Sequence, residues 1–180
     1  DNNSENKMIF DLNANEYVFS PFRLKSNEQE INFKGIVKDS TFKNIDIDFT
    51  NVYLKSFLPT IDSLKLMGKL DGTVTIYQKD GVYGPKGNLS VKGFEINNFK
   101  QGDLSLNIEG ESSYEKYDVN FSLEREQVKS ISAKGSLDFS EKRPKIDVSV
   151  YLEESELNAF SPLGEDVLSK IRGDATGNFS

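Results

Sequence analysis

Polar and apolar residues alternate along most of this chain, and that period of two constrains its fold more than any other feature. The clearest run is Ile-Asp-Val-Ser-Val-Tyr-Leu at residues 146–152, and shorter runs lie at residues 45–49, 104–108 and 119–123. A period of two places successive side chains on opposite faces of a β-strand. Strands buried on both faces would be continuously hydrophobic instead. The pattern therefore predicts a sheet with one apolar face and one solvated face.

Short polar segments separate these runs at intervals of about 8–12 residues, which is typical of an all-β chain. Asp80-Gly81 is expected to form the turn of a hairpin between the strands at residues 74–78 and 82–83. Further turns are predicted at residues 84–87, 100–103, 112–116 and 141–144. Each turn joins two of the alternating runs, so neighbouring strands are expected to be antiparallel.

Two segments, residues 57–64 and 155–169, break the alternation and are predicted to contain a few turns of helix. In the second segment, Ser155 could cap a short helix that carries Leu157 and Phe160. Such helices would cover an edge or an end of the sheet.

The composition excludes several classes of function. The 180 residues include no Cys, His or Trp, and the formal net charge is −7. Without His or Cys the chain has no Ser-His-Asp triad, no thiol nucleophile and no ordinary zinc site. We therefore expect no enzyme activity, no catalytic residue, no metal site and no cofactor. The acidic balance also argues against nucleic-acid binding.

The chain contains a loose internal sequence repeat. A strand, a short apolar segment with Pro and a Gly-x-x-x-Gly motif follow one another twice, with the glycines at Gly68/Gly72 and Gly173/Gly177. Repetition of this kind predicts a stacked, extended β architecture. We expect residues 1–29 to be a loosely ordered lead-in or the start of the first unit. Residues 30–180 are expected to form a repeat-like segment of a longer protein that ends within a repeat.

Two stretches carry a resemblance to a known family. Leu-Met-Gly-Lys-Leu-Asp-Gly-Thr-Val at residues 66–74 and Gly-Pro-Lys-Gly-Asn-Leu-Ser-Val at residues 84–91 resemble the glycine-strand patterns of the TamB and AsmA-like family of Gram-negative bacteria. The composition is similar to that of a Bacteroidota member. The second Gly-x-x-x-Gly motif departs from the family pattern, because Ala175 stands where Leu is expected.

The resemblance implies a β-taco, which is an elongated, curled and antiparallel-rich sheet with an open U-shaped groove. It also implies a protein anchored in the inner membrane that holds phospholipid acyl chains in the periplasm and supports outer-membrane biogenesis and protein assembly. An Omp85-type outer-membrane barrel is the implied partner.

The residues on the apolar side of four alternating runs are expected to line such a groove. They are Ile45, Ile47, Phe49, Leu104, Leu106, Ile108, Val119, Phe121, Leu123, Ile146, Val148 and Val150. The alternation alone fits equally well the sealed core of a closed β-sandwich or jelly roll. A structural or adhesive β-repeat module of an exported surface protein is therefore the competing function. Exposed strand edges and an uncovered apolar face would also make the isolated chain self-associate.

Overall fold

The computed structural model describes residues 6–38, 41–56, 65–79, 82–84, 86–110, 115–126, 128–138, 140, 145–156 and 174–179. These residues form one antiparallel sheet, so the predicted all-β class is confirmed. The strands are β1 Lys7–Asp11, β2 Glu16–Ser26, β3 Gln29–Lys38, β4 Phe42–Tyr53, β5 Leu66–Lys79, β6 Val82–Tyr83, β7 Lys86–Ile96, β8 Phe99–Gly110, β9 Lys116–Arg125, β10 Val128–Asp138, β11 Lys145–Glu156 and β12 Asp174–Phe179.

The sheet is a meander in which neighbours in sequence are neighbours in space. Its order is β1-β2-β3-β4-β5-β7-β8-β9-β10-β11-β12, and the two-residue strand β6 extends one side of β5. The two outer strands, β1 and β12, do not pair with each other, so the sheet is open rather than closed into a barrel. This arrangement agrees with the expected antiparallel, open and curled sheet.

The connections follow local turn chemistry, with corrections to two predicted turns. In the turn predicted at residues 84–87, Lys86 and Gly87 instead begin β7. β8 begins at Phe99 and runs through residues 100–103, so the turn predicted there was wrong. The turn lies instead at Asn97 and Asn98, whose φ angles are 52° and 69°. Positive φ at both central residues is the requirement of a tight type I′ hairpin turn, and Asn tolerates it. The hairpin predicted around Asp80-Gly81 does form by pairing of β5 with β6, although those two residues lie outside the described part.

The predicted helical segments need a second correction. β11 continues to Glu156, and Ser155 pairs with Ala175 of β12 instead of capping a helix. The remainder of that segment, residues 157–169, and residues 57–64 lie outside the described residues. Within the described ranges, the one helical element is a 3₁₀ turn over Leu54–Ser56.

β-bulges interrupt the strands near one margin of the sheet. The register shifts between Phe49 and Val52 in β4 and between Val91 and Phe94 in β7. A bulge adds a residue to one strand, which bends that strand and increases its twist. It also lets apolar residues three positions apart face the same side. Residues before and after the bulges consequently pack into one buried cluster, which is Val52, Leu54, Leu70, Val91, Phe94, Ile96 and Leu123.

One glycine shows how closely the strands approach. Gly35 of β3 has φ 147°, and a Cβ added there would lie 2.0 Å from the backbone oxygen of Asn44 in β4. Only glycine can hold this position without moving the neighbouring strand. Gly87 of β7, in a similar Lys-Gly dipeptide, has open space, because its nearest neighbour is the Val74 Cγ2 atom at 3.9 Å.

These two glycines allow a matched test of the sheet geometry. We expect Gly35→Ala to lower the free energy of unfolding by about 3 kcal/mol or more, because it adds both strain and a backbone clash. Gly87→Ala should change it by less than about 1 kcal/mol, because its Cβ meets no atom closely. Chemical denaturation followed by circular dichroism measures both. Equal effects of the two substitutions would contradict the strand spacing described here.

Candidate functional site

The pairing register places a continuous apolar row across the sheet. Directly opposed residues of neighbouring strands project from the same face. One row passes through Leu24, Ile31, Phe49, Gly72, Leu89, Leu106, Phe121, Ala133 and Val150, with one residue from each of β2–β5 and β7–β11. We call the side that carries this row the apolar face.

Parallel rows extend the apolar face along the strands. A second row contains Phe22, Phe33, Ile47, Val74, Gly87, Ile108, Val119, Gly135 and Val148. A third contains Val52, Leu70, Val91, Leu104, Leu123, Ile131 and Leu152. Ile45 and Ile146 lie on the same side, paired with Ile76 and Leu137. The structure thus brings all twelve predicted groove residues onto one face, and their contact with lipid stays a prediction.

Burial varies over the apolar face: it is high in the third row, partial in the first two rows, and high again at Gln78, near the other end of β5. Leu123, in the third row, is 1% exposed and belongs to the buried cluster. Phe49, Leu104 and Phe121 pack against that cluster but are only partly buried. Ile146, toward the other end of β11, is 68% exposed. The face therefore consists of a sealed margin and a region of mostly half-buried side chains, which we call the open expanse.

No second layer of described residues covers this expanse. All the described strands belong to one sheet, so no separate second sheet of the described part lies across the apolar face. The accessible surface is 12124 Å². A compact chain of this mass would expose about 8,800 Å². Apolar rows that a sandwich would bury remain accessible in a single layer, and they contribute to this excess.

The opposite face, which we call the polar face, carries a different ladder of side chains. Asn88, Asn107 and Asn120 oppose one another on β7, β8 and β9, and serines form the next row. Shallow depressions of about 190 to 480 Å³ lie over this face. Amide, hydroxyl and charged groups are the residues that a solvated sheet face carries. The polar face therefore faces water.

The charges of the polar face are paired across strands. Lys86 Nζ donates a hydrogen bond to Glu109 Oε1 at 2.7 Å, and this bond and the lysine charge lower the pKa of Glu109 below its ordinary value of 4.5. Because the folded-state pKa is depressed, the ion pair stabilises the folded state above pH 4.5. This stabilisation is lost as the pH falls through the lower pKa of the folded state. Both side chains are exposed, so this ion pair lies at the solvent-exposed surface and contributes little to stability.

Several titratable groups face the apolar side, among them Tyr117 and the register-aligned Tyr17 and Lys43. Tyr117 of β9 pairs with Leu137 of β10, which places its side chain in the row of Ile146. Burial raises the pKa of the Tyr117 phenol above 10.0. Partial burial of the phenol is the physical cause of this direction.

Two aspartates that the sequence analysis did not single out hold the bulges in place. Asp71 Oδ1 accepts the backbone N–H of Asn51 at 2.8 Å, and Asp103 Oδ1 accepts that of Gly93 at 2.9 Å. Asn51 and Gly93 both have positive φ, at 50° and 60°. Each bulge amide would otherwise lack a partner in the ladder.

A sequence signal for these bulges exists. Apolar residues follow one another at a spacing of three within the runs Phe49 to Val52 and Val91 to Phe94. An Asp lies on the next strand beside each bulge, at Asp71 and Asp103. A strict period of two does not accommodate this spacing, so the alternating pattern did not predict the buried cluster.

Comparison with known proteins adds no identification: no family model, no curated protein and no solved structure matches this chain. In the described ranges, no helix has both the length and the apolar character that a membrane crossing requires. The same residues contain no group of three or more acidic side chains placed to hold a metal ion. The apolar face is accordingly the feature on which a function can be argued.

The difference between the sealed margin and the open expanse can be measured in the protein without ligand. We expect Leu123→Ala to cost about 2–5 kcal/mol of unfolding free energy, because it leaves a cavity in the buried cluster. Leu106→Ala removes a partly exposed side chain and should cost less than about 1.5 kcal/mol. Urea denaturation of both variants checks this. A cost at Leu106 equal to that at Leu123 would show that the expanse is covered.

Proposed function

We propose that this chain is a periplasmic segment of a bridge-like lipid transport protein that holds phospholipid acyl chains on its apolar face. The observation that supports the proposal best is the in-register apolar face across β2–β11, which no second described layer covers. Exposed apolar surface of this extent marks a binding surface in a protein that remains soluble. The acyl chain is the ligand whose chemistry fits it.

The energetics suit a ligand that is held without being trapped. Each buried methylene gains about 0.8 kcal/mol, so a palmitoyl chain gains about 10 kcal/mol before the entropy costs of binding. At about 4.8 Å per strand, a row from β2 to β11 extends roughly 38 Å. One leaflet of a bilayer has a hydrocarbon depth of about 15 Å. The row is therefore long enough for acyl chains placed one after another.

The lining suits movement along the row. The first two rows consist mainly of aliphatic and aromatic side chains. On β5, β7 and β10 the residues in these rows are small and leave no protruding side chain; they are Gly72, Gly87, Ala133 and Gly135. No charged side chain belongs to either row. An acyl chain that moves from strand to strand then exchanges one apolar contact for another. Such a path contains no deep energy minimum.

The location and the partners belong to the proposal as well. The resemblance of residues 66–74 and 84–91 to the TamB and AsmA-like family supports a parent anchored in the inner membrane and an Omp85-type barrel partner in outer-membrane biogenesis. In the structure, the first of these stretches builds most of β5, where Gly68 lies at a register shift. Gly68 therefore has a structural reason in β5 that is compatible with the family pattern.

A charge placed on each face tests the proposal. We expect Leu106→Glu to abolish binding of phosphatidylethanolamine with a fluorescent acyl chain, because a carboxylate in the first row is costly to desolvate. Asn107→Glu is the matched control, because the adjacent residue of β8 projects from the polar face. Native mass spectrometry and fluorescence titration of the purified chain measure the bound lipid.

Three outcomes decide the matter. Loss of lipid at Leu106→Glu with retention at Asn107→Glu supports the proposal. Equal lipid binding by both variants and the unmodified protein would contradict it. Absence of lipid from all three, together with stabilisation by Ca²⁺, would favour the structural or adhesive β-repeat module.

A further inference from the structure

The depressions on the polar face join into one trough. Asn107 of β8 lines all three of them, and Asn88 and Asn120 each line two. Their volumes are about 480, 440 and 190 Å³. Together they extend from Thr73 of β5 to Tyr151 of β11, over strands that have a partner on each side. We call the joined depressions the polar trough.

The side chains of the polar trough are not engaged with one another. Within the described part of the chain, the amides of Asn88, Asn107 and Asn120 and the hydroxyls of the adjoining serine row make no side-chain hydrogen bond. At one end of the same strands, by contrast, Lys86 and Glu109 form a closed ion pair. Each asparagine therefore offers two N–H donors and a carbonyl acceptor to a ligand.

The polar trough is nearly uncharged, although the chain carries a net charge of −7. From β5 to β11, the row of the three asparagines contains one charged residue, Lys134, and the serine row from β7 to β11 contains none. Glu109, Asp118 and Asp147 flank the asparagine row, so an anion would meet carboxylates there. The apolar side chains of these strands project from the opposite face. The chemistry of the trough thus matches an uncharged ligand that is rich in hydroxyl groups.

An extended peptide fits this surface less well than a sugar chain does. Peptides that add to a sheet pair with the backbone of an open edge. The strands β7 to β10 are paired on both sides, so their backbone N–H and C=O groups already bond to neighbouring strands. The groups that remain for a ligand are side-chain amides and hydroxyls, which are complementary to the hydroxyls of a sugar.

Tyr151 adds an aromatic surface at the β11 end of the polar trough. It is 52% exposed, lies opposite Ser132 and lines the same depression as the three asparagines. A phenol ring can pack against the C–H face of a pyranose while its hydroxyl stays in water. Neighbouring strands lie about 4.8 Å apart, which is close to the length of one residue in an extended pyranose chain. Each strand of the trough can therefore face one sugar residue.

We propose that the polar trough binds a linear, uncharged glycan that lies across β7–β11. The amides of Asn88, Asn107 and Asn120 bond to its hydroxyls, and Tyr151 stacks on one sugar ring. This ligand lies on the face opposite to the apolar rows, so its binding does not depend on the proposed binding of acyl chains.

Titration of the full chain with cellohexaose, or with the hexasaccharide of N-acetylglucosamine, tests the proposal by nuclear magnetic resonance. We expect the side-chain amide signals of Asn88, Asn107 and Asn120 to shift saturably with at least one of these sugars. The amide of Asn44, which is exposed on β4 outside the trough, should not shift. Cellobiose covers about two strands and should bind at least about tenfold more weakly than cellohexaose, because it reaches fewer amides.

Substitutions locate the site. Asn107→Ala should weaken binding of the hexasaccharide about tenfold, because it removes donors and an acceptor from the middle of the trough. Asn44→Ala is the matched control and should leave the affinity unchanged. Tyr151→Ala should also weaken binding, whereas Tyr151→Phe keeps the ring and should retain the affinity within about twofold. All of these side chains are exposed, so the variants should keep the fold, which circular dichroism checks.

Each result supports or overturns the proposal. Binding of either hexasaccharide with the expected pattern of shifts and variants supports it. No saturable shift with either sugar at millimolar concentration, or equal shifts at Asn44 and in the trough, would overturn it. Equal affinities for cellobiose and cellohexaose would overturn a site that extends over several strands. Larger shifts with a Gly-Ser repeat peptide than with either sugar would assign the trough to an extended peptide instead.

Discussion

The register of the antiparallel ladder is the constraint on which every other property of this sheet depends. A slip of one residue in any strand would turn its apolar set to the solvated side. Close backbone approaches such as that of Gly35 to Asn44, and bulges capped by Asp71 and Asp103, fix the register at particular positions. Because the register holds from β2 to β11, the apolar residues of separate runs join into continuous rows.

The bulges divide those rows into two regions with different roles. Near the bulged margin, the bent strands bury Val52, Leu70 and Leu123 in a cluster that supplies the conventional core. Away from it the same face is only partly covered. Within the described ranges, the single layer leaves apolar surface accessible, because no second sheet of those residues lies on it. Stability and the candidate binding surface thus come from the same face but from different ends of the strands.

The alternating pattern predicted much of this arrangement and missed the rest for physical reasons. It predicted the strands around Ile47, Leu106 and Phe121 and their common face, because period two is a local property of each strand. It did not predict the bulges, since a two-residue period has no place for the spacing of Val91 and Phe94. Strand pairing with β12, which is a contact distant in sequence, overrides the capping signal at Ser155.

The central claim is that the apolar face is open and occupied by lipid, and site-specific photo-crosslinking tests it most directly. A benzophenone amino acid would replace Phe121 on the apolar face or its neighbour Asn120 on the polar face, in cells that express the protein. We predict phospholipid adducts at position 121 and none at position 120. Absence of lipid at both positions, or equal adducts at both, would contradict an open acyl-binding face.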